Sequence, residues 1–266
     1  MIELIDKNFE LHATQIPDST AGMTIMNSEN VVAVDSTLSC DTFNIIFIRN
    51  GLAITQAELE DIIRYYTNKD FDFCIWVNAE NLTDNLKEIF KSVNVSHQNE
   101  EVGMVLDLSQ YEVIVSDRHN DIVVVSDSEV LSDYANIIAA NWSPPDKNVN
   151  AYYENTSEYY LQNPDGVKLL VYYDGGTPLA TVELFPSDNS TIGIYGLATL
   201  EDARGKGIGS ALMTKCLNMA KKSGYKKVVL QASEDGIGIY KKLGFQSATT
   251  YYEFAYNGQI VSSRHF

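Results

Sequence analysis

The feature that most constrains the fold is a glycine-rich loop between two segments of regular secondary structure. Residues 192–200 (IGIYGLATL) have the apolar and β-branched content of a buried strand, and residues 209–224 (GSALMTKCLNMAKKSG) have the apolar spacing of an amphipathic helix. Between them, the stretch DARGKGIG places Gly205, Gly207 and Gly209 at alternate positions. Glycines let consecutive backbone N–H groups approach an anion, and a helix N-terminus is electropositive, so the loop predicts a phosphate-binding site.

Two common phosphate-binding loops do not fit this stretch. A Walker loop requires GxxxxGK followed by Ser or Thr, but Lys206 is followed by Gly207 and position 200 is leucine. A dinucleotide fingerprint requires GxGxxG, but Ser210 or Leu212 occupies the third glycine position, and the next strand-like run, VVLQAS, does not end in an acidic residue. A third pattern fits: a strand, an Arg-x-x-Gly-x-Gly loop and a helix N-terminus that together hold the pyrophosphate of coenzyme A. The remaining alternative is a glycine-rich surface turn.

A second motif follows the loop by one helix and one strand, in ASEDGIGIYKKLGF (232–245). Together, the two motifs resemble the GNAT superfamily of acyl-CoA-dependent N-acetyltransferases, whose second motif has the form Asn-x-x-Ala-x-x-hydrophobic-Tyr-x-x-x-Gly-Phe. The matching residues are Ile239, Tyr240, Gly244 and Phe245. Ser233 stands where the family often has asparagine, and Gly236 where it often has alanine. The resemblance covers about residues 121–266.

The resemblance implies a mixed α/β fold, the GNAT acyltransferase fold, for the second half of the chain. The patterns there predict a strand, two helices over about 128–162, a hairpin over 166–185, the strand–loop–helix, another strand and helix, and two final strands about an Asn-Gly turn. In the first half, IFKSVNV followed by GMVLDL repeats the rhythm of IYKKLGF followed by YYEFAY. We therefore expect a tandem arrangement, with a degenerate GNAT-like domain over 1–120 and an N-acetyltransferase domain over 121–266; a chance similarity of rhythm is the alternative.

The expected first copy lacks the features of a donor site. It has no Arg-x-x-Gly-x-Gly loop, and Phe90 falls where Tyr240 would lie in the alignment of the two copies. We expect it not to bind coenzyme A, and to serve as a scaffold or as one wall of the acceptor site.

The composition of the chain limits which partners the protein can bind and in which cellular compartment we expect it. The net charge is −17, and it is uneven: residues 1–130 hold 23 acidic and 7 basic side chains, whereas residues 131–266 hold 13 and 12. Such a first half would repel nucleic acid and anionic membranes, and it is either a solvated acidic surface or a field that attracts a cationic amine. The three cysteines form no CxxC pattern, the four histidines show no metal-ligand spacing, and neither a signal peptide nor a membrane span is evident. We expect a cytoplasmic protein without a metal; the oligomeric state stays open.

The resemblance implies transfer of an acetyl group from acetyl-CoA directly to a primary amine, with no covalent enzyme intermediate. Tyr240 is the expected acid for the departing thiolate, unless it is a packing tyrosine. Glu183, in the strand ATVELF, is the expected base, unless it faces solvent; Tyr195, Glu201 and Asp202 are its rivals. The expected donor-binding residues are Leu197, Ala198, Thr199, Arg204, Gly205, Lys206, Gly207, Ile208, Gly209, Ser210 and Ser233.

The acceptor stays open at this level, from a small-molecule amine to a peptide amine. A function of another class is also open, in which the same fold serves as a non-catalytic acyl-CoA-binding or regulatory module. Turnover of acetyl-CoA with an amine separates the two.

Overall fold

The computed structural model describes residues 1–163 and 166–258. The first half of the chain forms three helices and five strands along its described residues. In chain order they are α1 (Ile2–Asp18), β1 (Thr24–Asn27), β2 (Val31–Asp35), β3 (Ile45–Ile48), α2 (Gln56–Thr67), β4 (Cys74–Asn78), α3 (Asp84–Ser92) and β5 (Val95–Asp107).

The second half forms five helices and six strands along its described residues. They are β6 (Ile122–Val124), α4 (Ser128–Ala139), α5 (Lys147–Asn155), α6 (Ser157–Gln162), β7 (Lys168–Asp174), β8 (Thr177–Pro186), β9 (Thr191–Thr199), α7 (Ile208–Lys222), β10 (Lys227–Ala232), α8 (Ile237–Lys242) and β11 (Gln246–Tyr256). Two short 3₁₀ turns, Asp117–Asp121 and Glu201–Ala203, precede β6 and α7. The second strand of the predicted final hairpin falls outside the described residues.

The chain folds into two compact units, and each unit contains segments that are separate in the sequence. The glycine-loop unit contains Met1–His12 and Gly103–Ala248, and the N-terminal unit contains Ala13–Val102 and the described residues from Thr249 onward. The sequence prediction divided the chain once, near residue 120. In the structure, the first helix contributes to the glycine-loop unit, and the last described strand contributes to the N-terminal unit.

The sheet of the glycine-loop unit is mixed. Its order is β6-β7-β8-β9-β10, followed by the end of β5 from Gly103. The first four strands are antiparallel neighbours, whereas β9 and β10 run parallel and are joined through α7. The face of α7 predicted to be apolar is buried at Leu212, Cys216, Leu217 and Ala220.

The sheet of the N-terminal unit repeats this plan in shorter form. Its order is β1-β2-β3-β4-β11, followed by the first part of β5. Again an antiparallel series leads to one parallel pair, β3 and β4, which is joined through a helix, α2. The helix–strand steps α3–β5 and α8–β11 are the two segments whose similar rhythm is visible in the sequence.

The helices largely follow their local signals. The Asp127 carboxylate accepts hydrogen bonds from the backbone N–H groups of Glu129 and Val130, so it is the residue that begins α4. The single helix predicted over 150–162 is instead two helices, because the chain leaves helical geometry at the buried Thr156. No described helix has the length and apolar character required to span a membrane.

Candidate active site

A β-bulge interrupts β9 at the point where the glycine-loop unit offers backbone groups to a ligand. Thr181 of β8 pairs with Ala198, but Glu183 pairs with Tyr195, so β9 holds one extra residue in this interval. Gly196 has φ of +55°, and its carbonyl accepts a hydrogen bond of 2.9 Å from the Thr181 hydroxyl. Because such a bulge turns peptide groups out of the ladder, it re-aims the backbone that leads to the end of the strand.

The parallel strands β9 and β10 pair at one end only. Their pairing covers Thr191–Gly193 against Lys227–Val229, yet β9 continues to Thr199 and β10 to Ala232. The unpaired ends leave a wedge with Leu197, Ala198 and Thr199 on its β9 side. Strands that separate in this way present free main-chain groups to a ligand that lies between them.

The glycine loop follows directly from the wedge. Gly205 and Gly207 have φ of +73° and +78°, values that L-amino acids adopt only with strain, and Gly207 precedes α7 without any side-chain cap. The first N–H groups of a helix have no intrahelical partner, so those at Ile208, Gly209 and Ser210 are available to an anion. The helix predicted after the loop is confirmed, and it begins at Ile208.

Three basic side chains surround this loop. Arg204 Nε donates to the Thr199 carbonyl at 3.1 Å, and Lys206 Nζ donates to the Asp202 carbonyl at 2.8 Å. The third is Arg118, whose Nη1 donates to the Lys206 carbonyl at 2.7 Å. Arg118 lies 88 residues before Lys206, so no local pattern in the sequence indicates that it belongs to the loop.

The segment that contains Arg118 is held against α7 by contacts of the neighbouring residue. Its neighbour His119 has Nε2 at 2.8 Å from the Thr214 hydroxyl, and its carbonyl accepts from Lys215 Nζ at 3.4 Å. Burial, followed by the charge of Lys215, lowers the pKa of His119. His119 therefore holds the segment in place as a neutral ring and adds no charge at neutral pH.

Tyr240 is buried on α8, beyond the end of β10. Its ring packs against Phe245 with 5.8 Å between the ring centroids. A Cβ atom at position 236 would lie 2.8 Å from Tyr240 Cε2, so the glycine that replaces the family's alanine leaves space for this ring. Ser233 lies at the turn into α8, where its carbonyl accepts from the backbone N–H groups of Gly236 and Ile237.

Glu183 is buried in the middle of β8, with an exposed fraction of 3%. The alternative that this carboxylate faces solvent is therefore wrong. His12, on α1, has Nε2 at 3.3 Å from Glu183 Oε1, and the His12 ring stacks on Tyr195 with 3.7 Å between centroids. Sequence reasoning missed His12, because 171 positions separate it from Glu183.

The rivals of Glu183 as the base have other surroundings. The Tyr195 hydroxyl donates to Asn8 Oδ1 at 2.6 Å, and burial followed by the Glu183 charge raises its pKa well above the usual range. Glu201 and Asp202 are exposed on the 3₁₀ turn that follows β9. A phenol that stays protonated does not act as a base, so Glu183 is the one of these four residues that is both buried and a carboxylate.

The corresponding place in the N-terminal unit has none of these features. The strands β3 and β4 pair over Ile45–Ile48 and Cys74–Val77, which leaves no wedge within that pairing. A Cβ atom at Gly51, in the loop after β3, would lie 1.8 Å from the Asn81 carbonyl oxygen. The Thr55 side chain caps the following helix by accepting from the backbone N–H of Glu58, so one of the first N–H groups already has a partner there. No described residue of this loop, 49–55, has a positive φ.

The described residues hold no group of three or more His, Cys, Asp or Glu side chains arranged to bind a metal ion. The three cysteines are buried and none of them is in a disulfide, and burial raises the pKa of Cys216. A buried thiol with a raised pKa is a poor nucleophile. Cys216 is thus part of the packing of α7.

Comparison with known proteins finds one family match and several solved structures of similar fold. Residues 132–245 match the acetyltransferase (GNAT) family. A solved GCN5-related N-acetyltransferase from Kribbella flavida is similar to this chain with a TM-score of 0.68 and 14% identity, and the match covers 96% of each chain. A protein of unknown function from Staphylococcus epidermidis is similar with a TM-score of 0.63 and 17% identity over 90% of this chain and 96% of that one.

A tandem GNAT protein from the clavulanic acid biosynthesis pathway is also similar, with a TM-score of 0.55 and 9% identity over 89% of this chain and 83% of that one. At such identities these likenesses show the fold alone. They confirm the mixed α/β fold expected from the two motifs, and they extend over both halves of the chain.

Proposed function

We propose that the protein transfers an acetyl group from acetyl-CoA to a primary amine by direct attack in a ternary complex, because residues 132–245 match the acetyltransferase (GNAT) family. The family match supports acyl transfer as the class of reaction. The observation that carries the finer proposal is the wedge between β9 and β10, which leads to an uncapped helix N-terminus through two left-handed glycines.

The loop would hold the donor by its pyrophosphate. The backbone N–H groups from Gly205 to Ser210 and the charges of Arg118, Arg204 and Lys206 suit a ligand that carries several negative charges. The pantetheine arm contains amide groups, which match the main chain of Leu197, Ala198 and Thr199 along the wedge. Those main-chain N–H groups would also stabilise the oxyanion that develops as the amine attacks the thioester.

Tyr240 and Glu183 would handle the protons. An alkylammonium has a pKa near 10.4, so it must lose a proton before its nitrogen can attack. Glu183 accepts that proton, the nitrogen–carbon bond forms, and the carbon–sulfur bond breaks. The Tyr240 hydroxyl gives a proton to the departing thiolate, and Tyr240 is restored by the second proton that the nitrogen loses. The net products are an amide, coenzyme A as the thiol and one proton.

An amine is the acceptor that this site favours. The buried Glu183 lies among tyrosines, and the chain as a whole carries a charge of −17. Both features attract a cation and disfavour nucleic acid or an anionic membrane surface as a partner. Three reduced cysteines support a cytoplasmic setting.

The experiment is thiol release from acetyl-CoA with a panel of small and peptide amines. Tyr240→Phe is expected to lower kcat about 100-fold or more, because it removes a general acid, without changing the Kd for acetyl-CoA. Tyr225→Phe, in the same unit and outside the site, is the matched control and should leave kcat unchanged. Donor binding without turnover for any amine would contradict the enzyme and favour a non-catalytic acyl-CoA-binding module. An unchanged kcat in Tyr240→Phe would refute its role as the acid.

A further inference from the structure

The first helix of the chain places a histidine against the proposed base. The His12 ring meets three groups of the strands: Glu183 Oε1 lies 3.3 Å from its Nε2, Tyr195 stacks on its face, and Phe185 meets it edge-on at 5.2 Å between centroids. The two strands therefore fix the plane of the imidazole as well as its distance from the carboxylate. An imidazole held this close to a carboxylate exchanges a proton with it once the two atoms reach hydrogen-bond alignment.

The position of the helix is itself fixed by the strands. Asn8 lies one turn before His12 on the same face of α1, and it is fully buried. Its Nδ2 donates to the Phe185 carbonyl at 3.1 Å, and its Oδ1 accepts from the Tyr195 hydroxyl at 2.6 Å. A Cβ atom at Gly193 would lie 2.0 Å from Asn8 Oδ1, so glycine is required there for the helix to approach this closely.

Two buried polar atoms at this contact have no hydrogen-bond partner among the described residues. They are Glu183 Oε1 and His12 Nδ1. A buried carboxylate oxygen without a partner is costly, and such atoms occur where a ligand, a water molecule or a proton is exchanged. Exposure also increases along the pair, from 4% of the Glu183 side chain to 24% of the His12 side chain. The imidazole thus lies between the buried carboxylate and solvent.

From this geometry, and resting on the acetyl transfer proposed for the site, we infer that His12 relays to solvent the proton that Glu183 takes from the acceptor ammonium. In the step, the ammonium N–H bond breaks and its proton passes to a Glu183 oxygen. The carboxyl group then gives a proton to His12 Nε2, the imidazole gives one to water, and both groups return to their starting states. No oxidant or further reactant is needed.

The other ionisable groups that interact with Glu183 do not compete for this proton. They are Tyr134 on α4, Tyr160 on α6 and Tyr195 on β9. In each, burial first and nearby charges second raise the pKa well above the usual range. The phenols therefore stay protonated throughout the working range of pH, and the pair of Glu183 and His12 is left to carry the proton.

The relay predicts a rate deficit that depends on pH. His12→Gln keeps a polar side chain of similar reach, but its amide neither takes up nor releases a proton near neutral pH, so kcat should fall about 10- to 100-fold near pH 7. As the pH approaches about 10, more of the amine enters already deprotonated, and the deficit should shrink toward unity. A merely structural role for His12 would give the same deficit at every pH.

The experiment measures kcat from pH 6.5 to 10 and the Kd for acetyl-CoA in the full chain. The exposed His97, which pairs with Glu100, supplies the matched control His97→Gln, with wild-type rates expected throughout. The Kd should be unchanged in both variants. To separate the relay from any loss of fold stability, His12→Ala is assayed with added imidazole, which should restore a large part of kcat by taking the place of the ring.

The outcomes separate the relay from the proposed function. A wild-type chain without turnover refutes acetyl transfer, and the relay with it. A working wild-type chain with an unaffected His12→Gln, with a deficit that is independent of pH, or with no rescue of His12→Ala by imidazole refutes the relay alone.

Discussion

The β-bulge at Gly196 allows a direct test of how the wedge is built. Gly196→Ala introduces two separate penalties. The residue has φ of +55°, at which an alanine costs about 1–2 kcal/mol. The new Cβ atom would also lie 2.4 Å from the Tyr134 hydroxyl oxygen. One of the two must move by about 1 Å to restore van der Waals contact, and such overpacking in a core costs about 1–3 kcal/mol. The free energy of unfolding should therefore fall by about 2–5 kcal/mol.

A glycine with nearly the same backbone angle separates the two penalties. Gly175, in the turn between β7 and β8, has φ of +57°, and a Cβ atom there would meet nothing within 4 Å. Gly175→Ala should therefore cost only the backbone term, about 1–2 kcal/mol.

The second control removes the oxygen instead. In a Tyr134→Phe background, the atoms nearest to the new Cβ at position 196 are Ile138 Cδ1 at 3.5 Å and Tyr134 Cζ at 3.6 Å, both ordinary contacts. The cost of Gly196→Ala should then fall to that of Gly175→Ala, which is a coupling free energy of about 1–3 kcal/mol between positions 134 and 196.

The assay is urea unfolding of five chains, evaluated by linear extrapolation, with the Kd for acetyl-CoA measured in parallel: wild type, Gly196→Ala, Gly175→Ala, Tyr134→Phe and the double variant of Tyr134→Phe with Gly196→Ala. Gly196→Ala should weaken donor binding, and Gly175→Ala should not. Equal unfolding costs for the two alanine variants, or no relief in the Tyr134→Phe background, would refute the steric argument. Unchanged donor binding in Gly196→Ala would refute the role of the bulge.

Two further predictions concern the charges of the glycine-loop unit. Arg118→Ala should weaken acetyl-CoA binding about 3- to 10-fold, because it removes a cation and a donor to the loop carbonyl, and the effect should shrink with added salt; Arg64→Ala, on the exposed face of α2, should not change the Kd. Partial burial raises the pKa of Asp188, but hydrogen bonds from Ser190, Lys7 and Thr191 outweigh burial, so the pKa is lower than usual. Asp188→Asn should therefore destabilise the fold at pH 7, and its difference from wild type in urea unfolding should shrink as the pH falls below about 4, where the ionised form is lost. A difference that grows in acid would contradict that account.

Local chemistry made part of the site predictable. The glycine loop, the start of α7 and its buried face follow from patterns within about 20 residues, since each depends on backbone freedom and helical periodicity. These features need no knowledge of the rest of the fold.

The missing parts depend on contacts between distant segments. Arg118 reaches Lys206, and His12 reaches Glu183, only after the sheet has formed, and neither carries a local signal. The bulge at Gly196 is a register shift between two strands, and a single strand pattern does not reveal register. The break at Thr156 and the placement of β11 in the N-terminal unit were also beyond a local pattern, because tertiary packing decides both.

The most direct test of the account is a calorimetric titration of the full chain with acetyl-CoA. The account predicts one binding site per chain, in the glycine-loop unit, because the N-terminal unit has a closed strand pair and a capped helix at the equivalent place. Gly207→Asp, which puts a carboxylate beside the expected phosphates, should abolish binding. Gly224→Asp, at a glycine with a φ of +90° after the other end of α7, should retain it. Two sites per chain, no binding, or equal losses in both variants would contradict the account.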